Sequence, residues 1–214
     1  MNEQKTTILF DFDGTLAETM MLIHTVFNRL SGVYGYRHLP EDEIEAVRHL
    51  HMREFIEHVG ISLWKVPIVA IHARRLMHRD MDQIHPPAGL AEVLTQIHNS
   101  GRYNMDILTS NRSKNVHKFL GQHNIDWFDE VHSTHSILSK KRRVEKYIRQ
   151  KGLDPDNLFY VGDTTIDVES ARHAGARTVA VSWGLNTAET LARANPDYLV
   201  DAPSQLLEIF PAAG

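Results

Sequence analysis

Residues 6–15 read TTILFDFDGT, a β-branched and apolar run that stops at two carboxylates separated by one residue. Because strand side chains alternate with period two, Asp11 and Asp13 point the same way if the run is a buried strand. Two like charges at the end of a buried strand repel each other and are poorly solvated. A hard divalent cation with oxygen ligands is the natural group to offset that repulsion. The stretch therefore predicts a buried strand that ends at a cation-binding site.

Length and composition are those of a globular protein that can bury a sizeable core. Of the 214 residues, 42% are hydrophobic and 23% are charged. The net charge is −4 without a basic tail, so neither nucleic acid nor an anionic membrane is predicted as a partner. Cysteine is absent, which excludes disulfides, thiolate catalysis and cysteine-bound zinc. With no membrane-length apolar run and no signal-peptide features at the N-terminus, the protein is expected to be cytoplasmic.

A helical pattern follows the first strand. Apolar residues recur at the spacing of one helix face from residue 16 to residue 30. Further helical packing is predicted from Pro40 to Gly60 and from Pro67 to Asp82. The rigid sequence Pro86-Pro87-Ala88-Gly89 then marks a boundary. Residues 16–86 are therefore predicted to form an all-helical cap domain inserted after the first strand.

Strands and helices alternate in the rest of the chain. Because such alternation is typical of a parallel sheet with helices on both faces, the predicted fold class is α/β. Residues 1–15 and 87–214 would together form a Rossmann-like core. The strands predicted after the cap are Met105–Thr109, Glu130–His132, Leu158–Val161, Thr178–Val181 and Tyr198–Val200.

Polar side chains follow three of the predicted strands. Asp11 and Asp13 follow the first, residues 109–111 (Thr-Ser-Asn) close the second, and Asp163 and Asp167 follow a later one. In open α/β sheets, ligands bind beyond the carboxyl ends of the strands. One aspartate at a strand end is commonly a helix cap, but capping does not account for three converging strand ends. Together they predict a site for magnesium and phosphate.

The sequence DFDGTL at residues 11–16 resembles the first motif of the haloacid dehalogenase-like superfamily in its phosphatase form. The resemblance implies that Asp11 is the nucleophile and that Asp13 is the general acid/base. Ser110 matches the small hydroxyl residue of the second motif. The resemblance covers nearly the whole chain and is closest to the phosphoglycolate phosphatase-like branch, which carries a helical cap.

The third and fourth motifs lie in the second half of the chain. Asp163 and Asp167 match the acidic pair of the fourth motif. The third motif is a lysine at the start of a helix, and the basic run 140–143 offers both Lys140 and Lys141. Spacing favours Lys140. A nucleic-acid patch is the other interpretation of this run, and the negative net charge argues against it.

The resemblance implies magnesium-dependent phosphoryl transfer. Asp11 would attack phosphorus to form an aspartyl phosphate, and Asp13 would protonate the leaving oxygen and then deprotonate the attacking water. Mg²⁺ would be held by Asp11, Asp163 and the backbone carbonyl of Asp13, with Asp167 acting through water.

The substrate is expected to be a small phosphorylated metabolite. Ser110 and neighbouring backbone N–H groups would hold the phosphoryl oxygens, with Thr109 and Asn111 as further substrate-binding residues. Lys140 would neutralise both the nucleophile and the phosphate.

Two features of the predicted cap have alternative interpretations. In one interpretation, Arg48 binds a carboxylate or a second phosphate of the substrate. In the other, it forms a surface salt bridge with Glu45 or Glu54. The chain has 14 histidines, many of them in the cap. Because no pair has helical zinc spacing with a third ligand apparent, they are expected to be surface or core residues.

Other functions compete with a phosphatase. A phosphomutase shares all four motifs and is the alternative enzyme. A dehalogenase lacks the carboxylate that Asp13 supplies, and a phosphonatase needs a cap lysine in a context that Lys65 does not have. A phosphoacceptor domain would have its aspartate after a middle strand and no inserted cap, so the order of elements argues against it. A binding protein without catalytic activity is disfavoured because burying these carboxylates without using them costs stability. The sequence leaves the oligomeric state open.

Overall fold

The computed structural model of the protein describes residues 5–77, 81–133 and 140–212. Within these ranges, six strands form one sheet in the order β3-β2-β1-β4-β5-β6, and each neighbouring pair is parallel. The predicted parallel α/β fold is confirmed. The strands are β1 (Thr6–Phe10), β2 (Tyr103–Thr109), β3 (Glu130–Ser133), β4 (Leu158–Gly162), β5 (Arg177–Val181) and β6 (Tyr198–Val200).

Strand β1 lies in the middle of the sheet, between β2 and β4. Phe10 stands opposite Ile107 of β2 and Val161 of β4, so the carboxyl ends of the three strands lie side by side. Both faces of β1 are buried, because Ile8 and Leu9, which point to opposite faces, have no exposed surface. An apolar run without alternation is the pattern expected of a strand covered on both faces.

Helices cover both faces of this sheet. Ile8 and Phe10 belong to an apolar cluster with residues of α5 and α6, whereas Leu9 packs with residues of α7 and α8. The period-two alternation of β1 therefore separates two core layers. The helices that follow β1 and its helical insert are α5 (Leu90–Asn99), α6 (Ser113–Gln122), α7 (Lys140–Lys151), α8 (Thr165–His173), α9 (Ala188–Arg193) and α10 (Leu206–Ile209).

The described elements of the segment between β1 and α5 are helices joined by turns and loops, with α1 packed against α4. The limits of the predicted cap, 16–86, and of the core, 1–15 and 87–214, stay a prediction. No helix in the described ranges is both long and apolar enough to span a membrane. The helices of the segment are α1 (Met20–Tyr34), α2 (Ile44–Arg48), α3 (Met52–His58) and α4 (Val66–Met77).

Two helix predictions differ from the structure. The first helix begins at Met20 rather than at residue 16, because the carbonyl of Phe12 accepts the N–H groups of Leu16 (2.9 Å) and Ala17 (3.0 Å) in a tight turn. The helical stretch predicted to Gly60 is interrupted between α2 and α3, where His51 is extended (ψ 152°) and caps α3. Helix periodicity detects neither a turn nor an internal cap.

Candidate active site

The carboxyl ends of β1 and β4 bring three acids together. The N–H of Asp11 donates to the carbonyl of Val161 (2.8 Å), which extends the pairing of the two strands by one residue. Asp163 follows β4, and Asp167 lies in the first turn of α8. One carboxylate oxygen from each of Asp11, Asp163 and Asp167 lies within 4.8 Å of the other two, and all three residues are buried. We call these residues the acidic triad.

Lys140 is the cation that contacts the triad. Its Nζ lies 2.6 Å from Oδ2 of Asp11 and forms a second ion pair with Asp167. Burial lowers the pKa of Lys140, but the carboxylates of Asp11 and Asp167 outweigh burial, so the pKa lies well above its usual range. The neighbouring Lys141 is exposed. Of the two lysines considered from the sequence, the structure brings Lys140 to the acids.

Burial and mutual repulsion make the triad difficult to ionise. Burial raises the pKa of Asp11 to about 7, with Asp167 adding repulsion and Lys140 opposing the shift. Burial, followed by the charges of Asp167 and Asp11, raises the pKa of Asp163 well above its usual range. One lysine cannot balance three ionised carboxylates. A hard divalent cation fits this donor set, because it prefers carboxylate oxygens and supplies the missing positive charge.

Asp13 lies beside the triad in a separate hydrogen-bonded position. Strand β1 ends at Phe10, so the turn, and not strand alternation, orients Asp13. Nδ2 of Asn111 donates to Oδ1 (3.0 Å) and Oδ2 (3.3 Å) of Asp13. Burial raises the pKa of Asp13 to about 6, although the bond from Asn111 opposes the shift.

Residues 109–111 form the loop that closes β2. Thr109 has no exposed surface, and its hydroxyl accepts the N–H of Asn111 (2.9 Å), so it shapes the loop from inside. The carboxamide of Asn111 is engaged with Asp13. Ser110 is partly exposed between them, and its carbonyl accepts Nη1 of Arg74 (3.0 Å) from α4. Of the three predicted substrate-binding residues in this loop, Ser110 is the one that reaches the surface.

Arg48 reaches the core from the end of α2. Its Nη2 donates to the carbonyls of Ser182 (3.1 Å) and Gly184 (3.2 Å), and its Nη1 pairs with Glu45 (2.8 Å). The salt bridge with Glu45 that was one interpretation of Arg48 is present. Glu54 instead accepts the N–H of His51 as part of the cap of α3.

Three residues of this region were missed from the sequence. Thr15 donates its hydroxyl to Oδ1 of Asp163 (3.1 Å), although it stands within the first motif. Asn186 bonds the loop after Asp163 and also the α2–α3 connection. Arg74 contacts Ser110 across the fold. The position of Thr15 directly after the DFDG sequence could have identified it as a site residue. Arg74 and Asn186 could be identified only from the tertiary packing.

Known proteins resemble the chain over almost its full length. A model of the haloacid dehalogenase-like hydrolase family matches residues 8–181. A phosphoglycolate phosphatase of Synechococcus elongatus is 32% identical over 202 residues, covering 94% of this chain and 95% of that one. Pyrophosphatase PpaX of Bacillus mycoides is 28% identical over 209 residues, with 95% of each chain covered.

The fold is shared with solved structures of low sequence identity. A predicted phosphatase from Clostridium acetobutylicum superposes with a TM-score of 0.80 at 16% identity, covering 97% of this chain and 98% of that one. Because the family model spans residues 8–181, it includes the end of the first strand, the helical segment and the acidic triad. The chain belongs to the haloacid dehalogenase-like hydrolase family, in its branch of phosphoglycolate phosphatase-like phosphatases.

Proposed function

We propose that the protein is a magnesium-dependent phosphatase that hydrolyses a small phosphomonoester through an aspartyl phosphate on Asp11, with phosphoglycolate phosphatase-like specificity. The observation that carries the proposal is the contact between Asp11 and Lys140 (2.6 Å) within a buried cluster that also contains Asp163 and Asp167. A carboxylate held beside a cation at the end of a central strand is suited to attack an electrophilic phosphorus.

Asp11 is the nucleophile in this proposal. One of its carboxylate oxygens forms a bond to phosphorus while the bond from phosphorus to the leaving oxygen breaks. Lys140 keeps Asp11 ionised and, as a point charge, attracts a phosphoryl oxygen. Ser110 and the neighbouring backbone N–H groups bind the other phosphoryl oxygens.

Asp13 moves the protons. It gives a proton to the leaving oxygen in the first half-reaction and takes one from the attacking water in the second. Its hydrogen bonds from Asn111 support this role, because they fix the carboxyl group beside the nucleophile. Asn111 is then a positioning residue for Asp13 and not a direct ligand of the substrate.

The triad supplies the residues for magnesium. Asp11, Asp163 and the backbone carbonyl of Asp13 would hold the ion, with Asp167 acting through water. When bound, Mg²⁺ reduces the repulsion between the incoming phosphate and the carboxylates. The charge excess of the triad over Lys140 supports this assignment.

The names of the relatives support a small substrate with more than one acidic group, since they specify phosphoglycolate and pyrophosphate. A small phosphorylated metabolite in the cytoplasm is the corresponding substrate class here. Arg48 remains a predicted substrate-binding residue, and replacing it with Ala tests that role.

Hydrolysis of p-nitrophenyl phosphate with Mg²⁺, with excess chelator, and by Asp11→Asn tests the proposal. We expect turnover with Mg²⁺, loss of turnover in chelator, and at least about 1,000-fold lower kcat for Asp11→Asn, the range expected when a catalytic group is removed. Asp42→Asn, at an exposed aspartate, is the matched control. Full activity in chelator would refute the metal requirement, and full activity of Asp11→Asn would refute the nucleophile. After acid quenching, mass spectrometry of wild type is expected to detect a phosphoryl group on Asp11.

A further inference from the structure

Three arginines lie close to one another on the Ser110 side of the site, and none belongs to the four family motifs. Arg74 of α4 donates Nη1 to the carbonyl of Ser110 (3.0 Å). Arg112 directly follows Asn111, which bonds Asp13, and is the N-cap residue of α6. Arg143 lies one helical turn after Lys140, on the same side of α7. We call these three residues the arginine cluster.

The three charges are close enough to act on one another. Burial, followed by the charge of Arg112, lowers the pKa of Arg74, while the carboxylate of Asp13 opposes the shift. Burial and the charge of Arg74 lower the pKa of Arg143. The arginine cluster therefore concentrates positive charge next to Asp13 and the Ser110 loop. Such a concentration attracts an anion to that place.

The site thus has two oppositely charged sides. The acidic triad lies at the ends of β1 and β4, whereas the arginine cluster lies around the loop that follows β2. The reacting phosphoryl group belongs between Asp11 and Ser110 if the proposed function holds. Arg74 is bonded to the Ser110 loop and its charge acts on Asp13, the proposed proton donor to the leaving oxygen, so it lies on the side of the site where the leaving portion of the substrate departs.

We propose that Arg74, supported by Arg112 and Arg143, binds a second anionic group on the leaving portion of the substrate, either a carboxylate or a second phosphoryl group. This inference rests on the proposed function and assigns the substrate class of the same site. A planar guanidinium binds both kinds of group through paired hydrogen bonds. Because Arg74 lies on the helical segment between β1 and β2, anion binding also links that segment to the substrate.

Arg48, the arginine singled out from the sequence, is less suited to this role. Its guanidinium is bound to Glu45 and to the carbonyls of Ser182 and Gly184. A substrate anion at Arg48 would have to compete with these contacts. Arg74 also has contacts of its own, but its bond to the carbonyl of Ser110 places it in the loop that carries the proposed phosphoryl-binding residue.

The test compares Arg74→Gln with wild type on three substrates: phosphoglycolate, pyrophosphate and p-nitrophenyl phosphate. Gln keeps a donor for the carbonyl of Ser110 and removes the charge. We expect kcat/KM to fall by about 10- to 100-fold on the anionic substrate that wild type uses best, the range for a hydrogen bond to a charged group. On p-nitrophenyl phosphate, whose leaving group is uncharged until it departs, we expect less than a threefold change. Arg75→Gln, at the exposed neighbour on α4, is the control and is expected to match wild type.

The outcomes separate the alternatives. Selective loss on phosphoglycolate identifies a carboxylate as the second group, and selective loss on pyrophosphate identifies a phosphoryl group. Equal loss on all three substrates means that Arg74 only holds the Ser110 loop, which overturns the inference. Wild type that neither hydrolyses phosphoglycolate or pyrophosphate nor is competitively inhibited by them also overturns it. Those results leave the phosphatase proposal intact, which fails instead if wild type with Mg²⁺ does not hydrolyse p-nitrophenyl phosphate.

Discussion

At the scale of single residues, Asp163 is the most tightly enclosed member of the acidic triad. It has no exposed surface and accepts the N–H of Leu185 (2.7 Å) and the hydroxyl of Thr15 (3.1 Å). Two glycines leave the room for its carboxylate, because a Cβ on Gly14 or on Gly184 would lie 2.1 Å or 2.3 Å from Oδ2. These approaches are shorter than any van der Waals contact, so a methyl group at either position must displace Asp163.

Replacing Gly184 with Ala is therefore expected to weaken magnesium binding without altering any ligand. Displaced supporting groups typically cost 10- to 100-fold in metal affinity. Titrating activity with Mg²⁺ should show a half-saturating concentration at least about tenfold higher than that of wild type. Gly32→Ala is the control, because Gly32 lies in α1 with open space around it and Ala favours a helix by up to about 1 kcal/mol. An unchanged titration for Gly184→Ala would contradict the close packing around Asp163.

At the scale of elements, the connection between α2 and α3 is bound to the loop that follows β5. Nδ2 of Asn186 donates to the carbonyls of Arg48 (3.1 Å) and Leu50 (3.2 Å). Oδ1 of the same side chain accepts the N–H of Thr165 (3.1 Å), and its backbone N–H donates to the carbonyl of Asp163 (3.2 Å). Asn186 therefore links the helical segment directly to the loop that carries the acids.

An Asn186→Asp variant removes the contacts with the α2–α3 connection and keeps the contact with Thr165. The carboxylate still accepts from Thr165 but faces the carbonyls of Arg48 and Leu50 without a donor. Because two hydrogen bonds are lost, at about 1 kcal/mol each, amide hydrogen exchange in α2 and α3 is expected to accelerate by about 10- to 30-fold. Exchange in β1 and β4 should be unchanged. Equal protection of α2 and α3 in variant and wild type would show that Asn186 does not hold the segment. Asn104→Asp, at an exposed position of β2, is the control.

At the scale of the whole molecule, much of the fold was predictable because local pattern and global fold agree. The run that ends at Asp11 is uniformly apolar because β1 is covered on both faces. Parallel strands place their carboxyl ends at one edge, so Asp11 and Asp163 meet although most of the chain separates them in sequence. Lys140 could be preferred to Lys141 because its spacing to Asp163 matched the family motif.

The other features of the fold and the site depend on tertiary packing, which local sequence patterns do not predict. The start of α1 at Met20 follows from three-dimensional bonding to the carbonyl of Phe12. Arg74 contacts Ser110 only in the folded chain, which brings α4 to the loop after β2. A basic residue on a helix is usually a solvated one, so its sequence context was uninformative. Arg48 was selected from its context, and its bonds to the core carbonyls became visible only with the fold.

If the acidic triad binds Mg²⁺ as proposed, the stability of the folded protein depends on the metal. The acidic triad is buried at the carboxyl ends of β1 and β4 with Lys140 as its cation, so ionising all three acids in metal-free protein leaves an excess of buried negative charge. A ligand that binds only the folded state stabilises it by mass action, by about 2.7 kcal/mol at 100 times Kd. We expect Mg²⁺ to raise the Tm of wild type and to have little effect on Asp163→Asn.

In excess chelator, the stability of wild type relative to Asp163→Asn is expected to fall as the pH rises. Burial, followed by repulsion from Asp167 and Asp11, raises the pKa of Asp163 above its unfolded value of 3.8. A raised carboxyl pKa means that the folded state binds more protons than the unfolded state, so stability is lost as pH rises from 3.8 toward the folded pKa. Over the pH range that begins at 3.8 and ends at the folded pKa, wild type in chelator should therefore lose free energy of unfolding relative to Asp163→Asn, because Asn removes the ionisable group. Urea denaturation across that range measures the difference. If the difference in free energy of unfolding does not change with pH, Asp163 keeps an ordinary pKa in the folded chain. The acidic triad would then not require a metal ion to neutralise its charge.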